Sequence, residues 1–320
     1  MASQALLLGI AAVAPVGLAA QGAVDPNIAP RAAALERAGD WRGATEMLGR
    51  YLATAPGDGR AWFQFGRMYL LAARNWHEAG HRGDPDGLLY LDLAALAFDH
   101  ASGLQADSGS IYRGAVEMEK GIIRLEQHGW VELLRSAPSD PGRHVPGFVM
   151  ELGANLVNSC PVGGILLPGN ELEAVASWLA LVGSSGRGDI FPFFPERYRD
   201  DSLYRRQATL AMGVPPESTP AAALSASAGR RSLCLTPGAD TTMVPGPWSV
   251  SRLVLVKGRA SLPVADDLSV TELLRARAQA PSAWTTQVES IYFTAARHNN
   301  RLCRGFLAYL KDPATGACGR

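Results

Sequence analysis

The sequence predicts an α+β multidomain protein: an N-terminal array of α-helical hairpins, followed by a small α/β domain with a mainly parallel sheet. Apolar residues recur at helical spacing between residues 31 and 135. From residue 148 onward, short apolar runs alternate with helical stretches, which is typical of parallel strands joined by crossover helices. The 320 residues suffice for about two domains, and 47% hydrophobic against 19% charged residues indicate a folded chain.

Residues 1–22 are predicted to be a signal peptide or an N-terminal anchor. An apolar run ends in small residues, with Gly17 and Ala19 suitably placed for cleavage. The run contains Pro15 and is shorter than the roughly 20 residues of a spanning helix. No Lys or Arg precedes it, so an uncleaved anchor is the alternative. We therefore expect a periplasmic or secreted protein, with membrane attachment through this segment as the second possibility.

The charge balance argues against nucleic acid as a partner. Lys plus Arg and Asp plus Glu number 30 each, so the chain has no net positive field to attract a polyanion. The sequence also has no phosphate loop, no nucleophile elbow and no dinucleotide-binding fingerprint. We expect no cofactor.

Residues 31–135 contain a repeated helical pattern. One copy has an aromatic, a glycine and a second aromatic at fixed steps, and the helix before it has a small residue, two apolar residues and a closing proline. These positions are Trp62, Phe65, Gly66 and Tyr69, preceded by Ala44, Leu48, Tyr51 and Pro56, and a later copy has Ala94, Phe98 and Ala101. The pattern resembles the tetratricopeptide repeat, which implies stacked helical hairpins with a concave partner-binding face.

One helix of this array is predicted to bind a partner. Arg60, Arg67 and Arg74 recur every seven residues, with Phe63 beside them, and Arg113 extends the row from the next helix. A row of guanidinium groups with an aromatic neighbour suits a peptide carboxylate or an acidic segment. The alternative is an ordinary solvated arginine face.

The segment from His77 to His81 spells H-E-x-x-H, the pattern of zinc hydrolases. In that reading His77 and His81 bind the metal from one helical face, Glu78 is the general base, and a third ligand comes from elsewhere. Asp99, His100 and Glu117 are candidates for that ligand. The repeat register gives a competing explanation, because residues 76–79 also fit the turn between two repeat helices.

Residues 136–147, rich in Pro, Gly and Ser, are predicted to be a linker, and residues 148–320 an α/β domain with C-terminal helices. Strands are predicted at 162–167, 189–194, 232–235 and 249–258, and residues 214–230 are predicted to be a loop. Polar residues follow the first strand, where parallel sheets open their binding crevice. Asn170, Glu171 and Glu173 could contact a ligand there, or could form a helix N-terminal cap.

The same region resembles the soluble part of bacterial multi-pass membrane proteins related to protein O-mannosyltransferases. The residues that carry this resemblance are GILLPGNELEAVASW followed by GRGDIFPFF. The family has aspartates where this chain has Asn170 and Leu172, and no multi-pass region is present here. The glycosyltransferase activity of the family is therefore not carried over to this chain.

Four cysteines stand in the second half of the chain, at 160, 234, 303 and 318. They allow three pairings, of which Cys303 with Cys318 closes the shortest loop, and four free thiols are the alternative.

Taken together, the sequence predicts a non-catalytic exported scaffold that binds a protein or peptide. The alternatives are a zinc-dependent hydrolase at His77 and His81, or a glycan-related α/β enzyme.

Overall fold

The computed structural model describes residues 24–81, 84–104, 106–137, 141–183, 186–215, 219–258 and 268–309. The predicted signal peptide or anchor lies outside these ranges. Within them, no helix combines the length and the apolar character that crossing a membrane requires.

The first half of the chain is helical, and each of its first four helices packs against the next along the chain. The helices are α1 (Ile28–Arg37), α2 (Trp41–Thr54), α3 (Gly59–Glu78), α4 (Pro85–Leu104), α5 (Ala106–His128) and α6 (Trp130–Ser136). Aspartates cap two of them: Asp40 accepts the Gly43 N–H at the start of α2, and Asp58 accepts the Arg60 N–H at the start of α3.

Small residues let these helices approach closely. Ala44 of α2 is fully buried, and Gly66 of α3 lies against the ring of Phe98 from α4. A Cβ atom at position 66 would stand 2.7 Å from that ring, so only glycine fits without a shift.

The second half contains eight further helices among the described residues and a five-stranded sheet. The helices are α7 (Gly147–Ser159), α8 (Glu171–Val182), α9 (Pro195–Asp200), α10 (Ser202–Met212), α11 (Pro220–Ala228), α12 (Thr271–Gln279), α13 (Ala283–His298) and α14 (Asn300–Tyr309). The strands are β1 (Ile165–Leu167), β2 (Phe191–Pro192), β3 (Leu233–Leu235), β4 (Ser249–Ser251) and β5 (Val254–Lys257).

The sheet has the order β2-β1-β3-β5-β4 and is mixed. Strand β1 pairs in parallel with both β2 and β3, whereas β5 pairs antiparallel with β3 and with β4. The prediction of a mainly parallel sheet is therefore right only for the β2-β1-β3 half. The predicted strand at 249–258 is a hairpin that turns at Arg252, and the predicted loop at 214–230 contains α11.

One hydrophobic core runs through both halves of the chain, from Leu70 of α3 to Cys303 of α14. Helix α5 joins the halves, because its Gly121 lies against the Trp178 ring of α8. The described part of the predicted linker also packs into this core, through the buried side chain of Val145. A second, smaller core lies between α1, α2 and the first half of α3.

A disulfide joins Cys160, at the end of α7, to Cys234 in β3, with the two Cα atoms 5.7 Å apart. Both residues are fully buried. The pairing that the sequence favoured, Cys303 with Cys318, involves a residue outside the described ranges.

Candidate functional site

A cleft of about 600 Å³ lies where α3 and α5 meet the carboxyl ends of β1, β2 and β3. Parallel strands present their following loops at this edge, which is where open α/β sheets bind their ligands. The apolar residues of the lining are Met118, Leu167, Pro168, Ala174, Phe194, Pro195, Leu235, Ala239 and Met243. Its charged residues are Arg74, His77, Glu78, Glu119, Glu171, Glu196, Arg197, Arg199, Asp200, Asp201 and Asp240.

The buried carboxylate of Glu119 organises the middle of the cleft. It forms an ion pair with Arg74 of α3, with 2.7 Å between Arg74 Nε and Glu119 Oε1, and a second ion pair with Arg197 of α9. Burial alone would raise the pKa of Glu119, but the two guanidinium groups outweigh it and hold the pKa below its usual value. Arg74 also forms an ion pair with Glu171 at 2.7 Å, so the Arg74 guanidinium group is paired with two carboxylates.

The rim of the cleft is acidic. Glu78, Glu196 and Asp240 are exposed, and none of them forms an ion pair with another described residue. Asp240 accepts hydrogen bonds from Thr242, which lower its pKa and keep it ionised. The arginines of the lining, by contrast, are each paired with a carboxylate of the protein itself. The cleft therefore offers uncompensated negative charge.

Two loops close the floor of the cleft by touching each other. Gly169 follows β1 and Gly238 follows β3, and a Cβ atom on Gly169 would stand 1.8 Å from the Gly238 carbonyl carbon. The buried Glu173 carboxylate accepts the N–H groups of both glycines at 3.0 Å and the Thr236 hydroxyl at 2.7 Å. Burial raises the pKa of Glu173, against the opposing effect of these hydrogen bonds.

The structure thus divides the crevice residues predicted from sequence. Asn170 and Glu171 line the cleft, and the Asn170 side chain also caps α8 by accepting the Glu173 N–H at 3.0 Å. Glu173 is fully buried and ties the two loops together instead of facing the cleft. The capping interpretation of Asn170 is confirmed.

Beside the cleft, three buried ionisable side chains meet, two from helices and one from a helix N-cap. His77 Nε2 of α3 lies 2.9 Å from Glu126 Oε2 of α5 and 3.4 Å from Oδ2 of Asp201, the residue that caps α10. Burial alone would lower the pKa of His77, but hydrogen bonds to Asp201 and Glu126 raise it to about 9. Burial raises the pKa of Glu126. These three residues are called the His77 triad below.

The two histidines of the H-E-x-x-H segment do not share a helical face. Helix α3 ends at Glu78, Gly80 adopts φ +93°, and His81 stacks on Trp76 with ring centroids 4.6 Å apart. Glu78 lines the cleft. The third-ligand candidates lie elsewhere: Asp99 and Glu117 pair with Arg113, and His100 stacks on Trp62.

The predicted arginine row is split between two surroundings. Arg60 and Arg67 are exposed, and among the described residues neither forms an ion pair. Arg74 and Arg113 are bound to carboxylates of the protein itself. Phe63 packs edge-to-face on Tyr112, with centroids 5.1 Å apart, and lines a small pocket of about 150 Å³ beside Arg60.

Sequence reasoning missed Glu119 and Glu126, although α5 carries a signal for both. They lie seven residues apart on the face that also carries the fully buried Ile122 and Leu125. Carboxylates on the core-facing stripe of a helix are rare unless they are paired. That anomaly marks α5 as the helix that brings buried charge to the site.

No protein-family model, no curated protein and no solved structure matches this chain. The tetratricopeptide resemblance and the O-mannosyltransferase-related resemblance therefore stay predictions.

Proposed function

We propose that this protein is a scaffold that binds a cationic segment of another protein, bearing Lys or Arg side chains, in the cleft between the helical array and the sheet. The observation that carries this proposal is the acidic rim of Glu78, Glu196 and Asp240, which lacks ion-pair partners among the described residues. A ligand cation would supply the partner that the protein does not.

The apolar part of the lining supports a long basic side chain over a compact cation. Leu167 and Leu235 end their strands at the floor, and Phe194 and Met118 stand at the sides. Lys and Arg bury an aliphatic stem along such a surface while the charged head meets carboxylates. A volume of about 600 Å³ is enough for one or two such side chains and the adjoining backbone.

This proposal keeps the scaffold function predicted from sequence and changes the charge of the partner. An acidic partner would need free guanidinium groups, but Arg74 and Arg197 are both occupied by Glu119. Of the four arginines that the sequence predicted to bind a partner, only Arg60 and Arg67 of α3 are exposed without an ion pair to another described residue.

The test is a peptide array in which a central Lys, Arg, Glu or Ala is flanked by randomised residues. We expect the full-length protein to bind the Lys and Arg peptides, with affinity that falls as salt rises. Reversing two rim charges with Glu196→Lys and Asp240→Lys places like charges against the cationic peptide. Binding should weaken by about tenfold or more, which corresponds to roughly 1.4 kcal/mol.

The matched control is the double variant Glu46→Lys and Glu132→Lys, which makes the same charge change at exposed positions of α2 and α6 outside the cleft lining. It should leave the affinity for the Lys and Arg peptides unchanged. Preferential binding of the Glu peptides, abolished by Arg67→Glu, would move the binding surface to the arginines of α3. Binding of neither class would refute the proposal.

A further inference from the structure

The His77 triad has the composition of a metal site, and the two separations that join His77 to the carboxylates fit one. Metals of the first transition row bind imidazole nitrogen and carboxylate oxygen at about 2.0–2.2 Å. Two ligand atoms on one such ion therefore stand about 2.9–3.5 Å apart, for angles between the octahedral and the tetrahedral value. The separations of His77 Nε2 from Glu126 and Asp201 are 2.9 and 3.4 Å.

The three side chains are buried and come from helix α3, helix α5 and the N-cap of α10. Their residues are 8%, 4% and 5% exposed for His77, Glu126 and Asp201 respectively. The candidate ligand atoms all lie within 4.8 Å of one another. A cluster held by three helices of one core keeps its geometry better than a cluster on a single loop.

The surroundings orient the ligands. Asp201 Oδ1 accepts the Tyr204 N–H at 2.8 Å as part of the α10 cap, and the other carboxylate oxygen is the one that stands near His77. The Glu126 backbone carbonyl accepts a hydrogen bond from Gln207 of α10, which ties α5 to the same helix. A carboxylate that is held by a hydrogen bond to one oxygen, as Asp201 is, is typical of metal ligands.

The site also has an approach from solvent. His77 and Asp201 both belong to the lining of the cleft, so an ion in the cleft can reach them without unfolding. Once bound, the ion would keep coordination positions open toward the cleft for water or a ligand group, as three-ligand zinc sites do.

We propose that His77 Nε2 and the carboxylates of Glu126 and Asp201 bind one divalent transition-metal ion, Zn²⁺ or Mn²⁺, at the edge of the cleft. The ion takes the place of the proton that His77 shares with the two carboxylates, and that proton is released to solvent. Two carboxylates and a neutral imidazole contribute two negative charges toward a divalent ion. This proposal does not depend on the cationic-segment proposal, which concerns other residues.

The experiment uses full-length protein stripped with a chelator and dialysed. Titration with Zn²⁺ and separately with Mn²⁺, followed by calorimetry and by elemental analysis after gel filtration, should give one bound ion per chain. Co²⁺ should give visible d–d absorption bands, and Zn²⁺ should raise the melting temperature. Mg²⁺ serves as the hard-cation comparison, and we expect it to bind much more weakly.

Four variants locate the ion. His77→Ala, and the nearly isosteric Glu126→Gln, should each weaken Zn²⁺ binding more than about tenfold and abolish the Co²⁺ bands. His81→Ala changes the other histidine of the H-E-x-x-H segment, and Glu132→Gln changes an exposed carboxylate of α6 outside the cleft lining; neither variant should change either readout. Circular dichroism of the metal-free variants checks that each one folds, and Glu126→Gln keeps the test decisive if His77→Ala does not fold.

Two outcomes would overturn the proposal. One is wild-type protein that retains no stoichiometric Zn²⁺ or Mn²⁺, which would leave the His77 triad as a buried ion-paired cluster. The other is loss of binding in His81→Ala equal to that in His77→Ala, which would place the ion at the H-E-x-x-H segment. A negative result in the peptide array bears on neither, because its variants lie outside the triad.

Discussion

Glu119 forms ion pairs with two of the three arginines that line the cleft. Its carboxylate is shared by Arg74 of α3 and Arg197 of α9, the helix that follows β2, and its side chain is only 7% exposed. Removing one partner of a buried ion pair costs more than the pair contributes, because it leaves an uncompensated charge in a poorly solvated place. Here two guanidinium groups would lose their shared partner at once.

Glu119→Gln should therefore lower the free energy of unfolding by about 3 kcal/mol at neutral pH, as measured by urea unfolding. Glu132→Gln is the matched control, because Glu132 forms an exposed ion pair with Arg135 on the surface of α6. That pair is worth less than about 1 kcal/mol. Equal losses in the two variants would contradict the role given to Glu119.

The same carboxylate predicts a pH dependence. The folded-state pKa of Glu119 lies below its unfolded value of 4.5, so its contribution is fully present above pH 4.5 and is lost as the pH falls further. The free energy of unfolding of the wild type should fall more steeply below pH 4.5 than that of Glu119→Gln. Parallel curves for the two proteins would show that Glu119 is not held ionised by its arginines.

Among the secondary-structure elements, α7 and β3 are joined by a disulfide. The Cys160–Cys234 disulfide has a sequence separation of 74 residues and fixes the end of α7 to the strand where the parallel and antiparallel parts of the sheet meet. A cross-link stabilises mainly by restricting the unfolded chain, and it does so more strongly for long loops.

Replacing both cysteines, with Cys160→Ala and Cys234→Ala, should lower the free energy of unfolding by about 4 kcal/mol. Because both side chains are fully buried, alanine avoids introducing a polar group into the core. Urea unfolding of the double variant measures the change, and far-UV circular dichroism checks that the helices remain. A decrease in the free energy of unfolding of less than about 1 kcal/mol would show that the disulfide contributes little to stability.

The sequence was a better guide to helices than to strand direction, for physical reasons. Helix α8 follows an apolar run behind a capping Asn170, and both signals are local. Helix α11 was missed, although Thr219 caps it and Pro220 occupies its first turn, because small residues give it almost no apolar face. The β4–β5 hairpin turns at Arg252, at φ 50°, where sequence rules expect glycine or asparagine.

At the scale of the whole molecule, the shared core predicts cooperative unfolding. Helices α3, α4 and α5 contribute to the same core as the sheet, so neither half buries its apolar surface alone. Tyrosine and tryptophan fluorescence and far-UV circular dichroism should therefore report one coincident urea transition. Separate transitions for the helical array and the sheet would contradict this.

The exception lies at the N-terminal end of the described chain. Helices α1 and α2 pack into the smaller core with only the first half of α3. We therefore expect hydrogen exchange to show that α1 and α2 open at a lower free energy than α5.

The candidate site could be predicted only in part, because it is assembled by long-range contacts. The loop after β1 was predicted to lie in a binding crevice, and Asn170 and Glu171 do line the cleft. The pairing of Arg74 with Glu171 joins residues 97 positions apart, and no local pattern indicates it. The His77 triad likewise needs three helices whose relative positions follow from the core, not from any motif.

The contact between Gly169 and Gly238 has a consequence for how this chain can diverge. The backbone at Gly238 and Ala239 occupies the space that a methyl group on Gly169 would need, so the loops after β1 and β3 cannot change independently. A substitution or insertion in one loop is tolerated only with a compensating change in the other or with the loss of the Glu173 clamp. Descendants that alter ligand specificity are thus expected to vary first at the rim, while the two glycines and Glu173 are inherited as one unit.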